Sequence, residues 1–305
     1  MKQSLRIWLD AARPKTLPLA LVSILTGSVL AYSTHKFSFA VALLAFLTAT
    51  LLQILSNLAN DYGDAVKGTD NEQRLGPMRA IQSGEVSQKA MKSAIIINVV
   101  LTIISGLALV FYALDSLHSI LAFIGLGVLA IAAAIAYTVG NKPYGYVGLG
   151  DISVFIFFGL LGVAGTFFLH TGVVAPLLIL PAIGCGLLAV AVLNINNMRD
   201  IENDEVCGKR TVAVRLGQYK AKQYHSVLLI GALLSFIVYL ALQPAPIWFC
   251  LPFLISAIVV YKHGKAVWQA EQPAQIAPMM PVIVKCSMVT NLLFASVVIA
   301  QTLVS

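Results

Sequence analysis

Apolar runs of about 20 residues, the length a helix needs to cross a bilayer core, recur along this chain with almost no charge inside them. They fall at residues 17–34, 38–59, 93–114, 119–140, 152–170, 173–195, 226–243, 246–261 and 282–303. The pattern predicts an all-α polytopic membrane protein of nine spans, with residues 1–305 forming one membrane-embedded domain. The eighth run starts among Pro244, Pro246 and Pro252, so its beginning is the least regular. The connections alternate in character. Those at 35–37, 115–118, 171–172 and 244–245 are short, whereas 61–92 and 198–225 are long and polar.

Composition agrees: 59% of residues are hydrophobic and 11% charged, against roughly 25% charged in a soluble domain. The net charge of +7 would suit a nucleic-acid partner in a soluble protein. Here its distribution matters more. With the N-terminus cytoplasmic and the C-terminus outside, 19 of the 20 Lys and Arg residues fall on cytoplasmic segments and only Lys36 falls outside, as the positive-inside rule requires. No nucleic-acid role is expected. The N-terminal residues, with Lys2, Arg6, Asp10, Arg13 and Lys15, lack a short apolar region before a cleavage site, so the first span is expected to be retained. Cys185, Cys207, Cys250 and Cys286 show no paired or metal-ligand spacing and read as reduced thiols.

Both long cytoplasmic segments hold an acid cluster. In the first, Asn57, Asn60, Asp61 and Asp64 follow i, i+3, i+4, i+7 spacing, which makes one polar stripe if the second span continues as a helix. In the second, Asn196, Asp200 and Asp204 sit at i, i+4, i+8. Carboxylates so spaced repel, and a hard cation would offset this. Mg²⁺ is typically held by one or two carboxylates together with substrate phosphates, so two facing stripes could clamp a diphosphate. The plainer alternative is solvated loop surface. Arg74 and Arg79 follow the first cluster, and Lys209, Arg210 and Arg215 follow the second. Such groups suit phosphate oxygens, although the positive-inside rule also accounts for them. A third feature is the loop from Tyr137 to Asp151, with Tyr137, Tyr144 and Tyr146, four glycines and Pro143. It reads either as an interfacial aromatic belt or as a wall whose ring faces stabilise a cation.

Together, Asn60-Asp61-Tyr62-Gly63-Asp64 and Asp200 to Asp204, on cytoplasmic loops after spans two and six, resemble the UbiA superfamily of intramembrane prenyltransferases. The segments Arg13 to Leu17, Asn57 to Asp64, Tyr137 to Asp151 and Leu193 to Asp204 are most similar to the branch that prenylates 1,4-dihydroxy-2-naphthoate in menaquinone synthesis. The resemblance implies a nine-helix bundle around a central cavity capped by cytoplasmic loops, in the bacterial inner membrane. It implies transfer of a polyprenyl group from polyprenyl diphosphate to 1,4-dihydroxy-2-naphthoate, with loss of CO₂ and diphosphate and Mg²⁺ as cofactor. By position in the motifs, Asn60, Asp64, Asp200 and Asp204 would hold the Mg²⁺-diphosphate, with Asp61 and Asn196 as further metal-side ligands. Asp64, Asp200, Lys209 and Tyr137 would carry the chemistry. Asn57, Arg79, Tyr144, Lys209 and Arg215 would contact substrate; on charge and membrane side alone, Arg13, Lys15 and Lys142 are candidates for the acceptor carboxylate. The motif departs from the family pattern at Gly68, where many members carry an acid; the next acid here is Asp70. Two alternatives stay open: an aromatic acceptor such as 4-hydroxybenzoate or homogentisate, and a secondary transporter. No acid lies at mid-depth of a span, as a transporter site would need.

Overall fold

In lipid every backbone polar group must be satisfied within its own segment, so long apolar runs fold as helices. The computed structural model describes residues 2–304, with side chains from Arg6 onward, and contains no strand among them. The side chain of Lys2, counted above on the cytoplasmic side, lies outside the described set.

The helices are α1 (Lys2–Ala12), α2 (Leu17–Tyr32), α3 (Phe39–Lys67), α4 (Gln88–Ala113) and α5 (Leu117–Ala136), then α6 (Gly150–Thr171) and α7 (Pro176–Arg199). A short α8 (Ile201–Val206) leads to α9 (Val212–Ala241), α10 (Ile247–Gln269) and α11 (Pro273–Val304). Eight of these are long and apolar enough to cross a membrane. The count becomes nine if α2, which has 16 residues, is taken as one span with the end of α1, from which it is bent by 55°. Every predicted run lies within one of these helices or overlaps it closely. The chief difference is at the basic ends. Helices α3 and α9 extend well into segments expected as loops, α3 to Lys67 and α9 from Val212, and α7 runs on to Arg199.

Burial orders the bundle. About 61% of the apolar window of α7 is buried, against 6% for α5, so α7 is central and α5 lies at the lipid edge. Helices α6, α9 and α11 surround α7. Close approach of α6 to α7 depends on small residues: a Cβ on Gly159 would lie 2.6 Å from the Ala182 carbonyl oxygen. Outward side chains such as Leu121, Leu129, Ile104 and Ile230 are exposed, as lipid contact requires. At the start of α10, Pro246 precedes tight turns over Ile247–Phe253, which accommodate Pro252 before regular helix begins at Leu254. Among the described residues all four cysteines are free thiols.

Candidate active site

Helix α3 runs on to Lys67 and carries Asn57, Asn60, Asp61 and Asp64 on its final turns. At about 100° per residue these four positions span roughly 100° of the helix surface, wide enough to meet two different neighbours. The expected single stripe therefore divides. Asn57 and Asp61 turn toward the α1–α2 elbow. Asn57 Nδ2 donates to the Ala12 carbonyl at 2.9 Å; the Asp61 carboxylate accepts from the Arg13 guanidinium and faces Arg79 Nε at 3.5 Å. Asn60 and Asp64 turn toward the loop after α5. Thr138 Oγ1 lies 3.2 Å from Asn60 Oδ1, and the Tyr146 hydroxyl donates to Asp64 Oδ1 at 2.7 Å. Gly63 makes this contact possible, since a Cβ there would lie 2.7 Å from the Thr138 backbone.

Gly68 ends α3 in the left-handed region, at φ 73°, and the reversal brings Asp70 back within electrostatic reach of Asp64. The Asp70 side chain is buried, and neither carboxylate oxygen has a hydrogen-bond partner. Its nearest cation is Arg74, with Nε at 3.3 Å. Burial, with Arg74 opposing it and Asp64 adding to it, raises the Asp70 pKa above the usual carboxylate value.

The second cluster also departs from a continuous helical face. Helix α7 ends at Arg199, Asp200 leaves helical geometry at φ −101° and ψ 16°, and α8 begins at Ile201. Arg199 folds back over this break, donating from Nε to Asp200 Oδ1 and from Nη2 to Asn196 Oδ1, each at 2.9 Å. Arg74 Nε reaches Asp200 Oδ2 at 3.5 Å, so one guanidinium joins the two acid loops. Asn203 Nδ2 ties them again by donating to the Thr69 carbonyl at 3.0 Å. Burial alone would raise the Asp200 pKa, but Arg199, Arg74 and Lys209 hold it below the ordinary value. Asp204 faces Lys209 Nζ at 3.7 Å. Burial, with Lys209 opposing and Asp200 and Asp64 adding, brings the Asp204 pKa up to about 6. Lys209 is itself buried, and Asp64 and Asp204 outweigh that burial and raise its pKa.

Tyr146 lies between the clusters. Besides Asp64, its hydroxyl shares a 2.6 Å hydrogen bond with Thr69 Oγ1, and the Lys209 and Lys67 ammoniums lie 5.4 and 5.6 Å from its ring centroid. Tyr137 packs edge-on against Tyr144, with centroids 5.3 Å apart. It lies within electrostatic reach of Asp64 and Asp204, whereas the Tyr144 hydroxyl is bonded away from the acids, to the Ala133 carbonyl and Ser153 Oγ. Three further predicted residues lie apart. Lys15 is exposed without a contact. Arg215 bonds the Arg210 and Val147 carbonyls, and Lys142 is exposed on the solvent side of Tyr146.

The residues that sequence reasoning underweighted are Tyr146, Arg199 and the Asp70–Arg74 pair. Tyr146 was signalled only as part of the aromatic loop, and the pair by an Asp and an Arg at i, i+4 spacing beside a known cluster; Arg199 carried no signal of its own. The assembled site pairs Asp61, Asp64, Asp70, Asp200 and Asp204 with Arg13, Arg74, Arg79, Arg199 and Lys209. Its formal charges balance. Among the described residues no three His, Cys, Asp or Glu side chains converge on a preformed metal point. Hard oxygen donors instead come in twos, Asp64 with Asp70 and Asp200 with Asp204, and both Asp70 oxygens lack a hydrogen-bond partner. That donor set fits Mg²⁺ completed by substrate phosphates rather than a closed protein cage.

Residues 20–289 match the family model described as the UbiA prenyltransferase family. The 1,4-dihydroxy-2-naphthoate octaprenyltransferase of Escherichia coli (strain K12) is 52% identical over 287 residues, covering 94% of this chain and 93% of its own. Two solved structures share the fold. A UbiA homologue from Aeropyrum pernix K1 superposes with a TM-score of 0.69 at 16% identity, over 94% of this chain and 98% of that one. A UbiA homologue from Archaeoglobus fulgidus bound to DMAPP and Mg²⁺ gives 0.65, also at 16%, over 98% of this chain and all of that one, 100%.

Proposed function

The chain belongs to the UbiA prenyltransferase family, and on that premise we propose that it transfers a polyprenyl group from polyprenyl diphosphate to 1,4-dihydroxy-2-naphthoate. CO₂ and diphosphate leave, and reduced demethylmenaquinone is formed. The relative's octaprenyl specificity is the expected donor length. The whole chain acts as one domain in the bacterial inner membrane, with the basic loops and N-terminus cytoplasmic and the C-terminus outside. The observation that carries the reading is the joining of two acid loops by Arg74, with Asp64, Asp70, Asp200 and Asp204 gathered at one end of an apolar bundle. A polyprenyl tail can stay in lipid while its diphosphate reaches these residues.

Asp64 with Asp70, and Asp200 with Asp204, would hold Mg²⁺, which when bound neutralises the departing diphosphate. Asn60 and Asn196 supply neutral oxygen donors beside these pairs. Lys209, Arg74 and Arg199 are positioned to take diphosphate oxygens as the anion displaces them from carboxylates. Since the protein charges already balance, two divalent ions with a triply ionised diphosphate would leave one positive charge. The acceptor carboxylate cancels it. Arg13 and Arg79, whose Nε atoms are buried without a hydrogen-bond partner, are the residues proposed to take that carboxylate.

The allylic C–O bond breaks with its electron pair going to diphosphate, and the Tyr137 ring would stabilise the allylic cation. The ring carbon bearing the carboxylate forms the new C–C bond. The bond to the carboxylate then breaks, returns its electrons to the ring and releases CO₂. That carbon carries no hydrogen, so no base is needed to restore aromaticity. The test is prenyl transfer from octaprenyl diphosphate in membranes at saturating Mg²⁺, with CO₂ measured. Asp64→Asn and Asp200→Asn should each lose at least about 100-fold in rate, since one group that stabilises transition-state charge is worth roughly 3 kcal/mol. Near-normal turnover in both would overturn the assignment, and transfer to 4-hydroxybenzoate without CO₂ would overturn the acceptor.

A further inference from the structure

Tyr146 stands between the charge-balanced acid cluster and a surface cavity. On its inner side lie Asp64, Asp204 and Lys209. On its outer side a surface cavity of about 370 Å³ is lined by Lys67, Asn141, Lys142, Tyr146 and neighbouring residues, none of them acidic. Neither lysine has an ion-pair partner among the described residues, and Lys142 makes no side-chain hydrogen bond or ring contact there. The Lys67 ammonium faces the same Tyr146 ring that Lys209 approaches. A concave pocket with two uncompensated cations and an amide raises the local concentration of anions. We infer that this outer cavity is a second binding site for inorganic diphosphate, occupied by the product on its way from the acid cluster to water.

The inference rests on the proposed prenyl transfer, which supplies the diphosphate. Its chemistry separates the two compartments. Without Mg²⁺ the inner acids oppose a polyanion, whereas the outer cavity needs no metal. The experiment is therefore diphosphate binding to the purified full chain in EDTA, measured by calorimetry, with orthophosphate as the comparison. The expected result is one weak, salt-sensitive site that prefers diphosphate to orthophosphate. Lys67→Gln and Lys142→Gln should each weaken it about fivefold, and Lys67→Arg should retain it. No diphosphate binding in EDTA, or binding indifferent to both lysine replacements, would overturn the outer site. Equal affinity for orthophosphate would overturn its assignment to diphosphate. Prenyl transfer assayed on the same preparations keeps the two ideas separate: an active enzyme without EDTA-resistant binding refutes only the cavity, and an inactive wild-type enzyme refutes the parent reading.

Discussion

Replacing Asp61 by Asn separates a structural ion pair from a metal ligand, the two roles open to this residue. Among the described residues Asp61 is the sole carboxylate within ion-pair distance of either Arg13 or Arg79, and its side chain is 1% exposed. At 3.5 Å and an effective dielectric near 20, the attraction to Arg79 alone is about 5 kcal/mol. Much of that offsets desolvation, so breaking such a buried pair from one side typically costs about 3–5 kcal/mol. For a chain of this length, about 2–3 °C per kcal/mol predicts a melting temperature lower by roughly 10 °C. The loss should depend on pH. Burial, with Arg13 and Arg74 nearby, already brings the Arg79 pKa down to about 9, and removing Asp61 lowers it further. A cation whose folded pKa is depressed destabilises the fold fully below that pKa, and the penalty declines as pH rises through it toward the unfolded value; the extra penalty in the variant fades between its own lower pKa and about 9. The deficit should therefore be largest near pH 7 and shrink toward pH 9.5. Thermal unfolding of purified protein in detergent at the two pH values measures this, and Arg13→Gln added to Asp61→Asn should recover part of the loss by restoring charge balance. A change under about 2 °C, accompanied by a tenfold greater Mg²⁺ requirement for prenyl transfer, would refute the ion-pair account and make Asp61 a ligand.

Other outcomes follow from the same geometry. Tyr146→Phe removes the donor to Asp64, and a hydrogen bond to a charged group is worth about 1.5–3 kcal/mol; prenyl transfer should fall roughly 10- to 100-fold, checked by steady-state rates across an Mg²⁺ titration. Asp204 must ionise to hold a cation, and its pKa stands at about 6, so the Mg²⁺ concentration for half-maximal activity should climb as pH falls below 6 and stay flat above 7. Gly63→Ala places a methyl against the Thr138 backbone; it should cost about 1–3 kcal/mol through overpacking and lower activity together with melting temperature, which a paired assay would detect.

Span positions and the identity of most acids that gather at the site were legible in the chain because they depend on local rules. A run of 20 apolar residues has one stable outcome in lipid. The helical stripe at Asn57 to Asp64 was legible too, but not its division: a face 100° wide meets two neighbours, and only packing decides that Asp61 turns to Arg13 and Asp64 to Tyr146. The same holds for Asp200, where Arg199 stabilises a break that i, i+4 spacing concealed. Asp70, displaced from the family position, joins Asp64 because Gly68 reverses the chain in a conformation glycine adopts without strain. Arg74 and Arg79 come from the loop after α3, and Tyr146 from the distant loop after α5. Their partners are set by where three helix ends converge, and no periodicity along one segment encodes that.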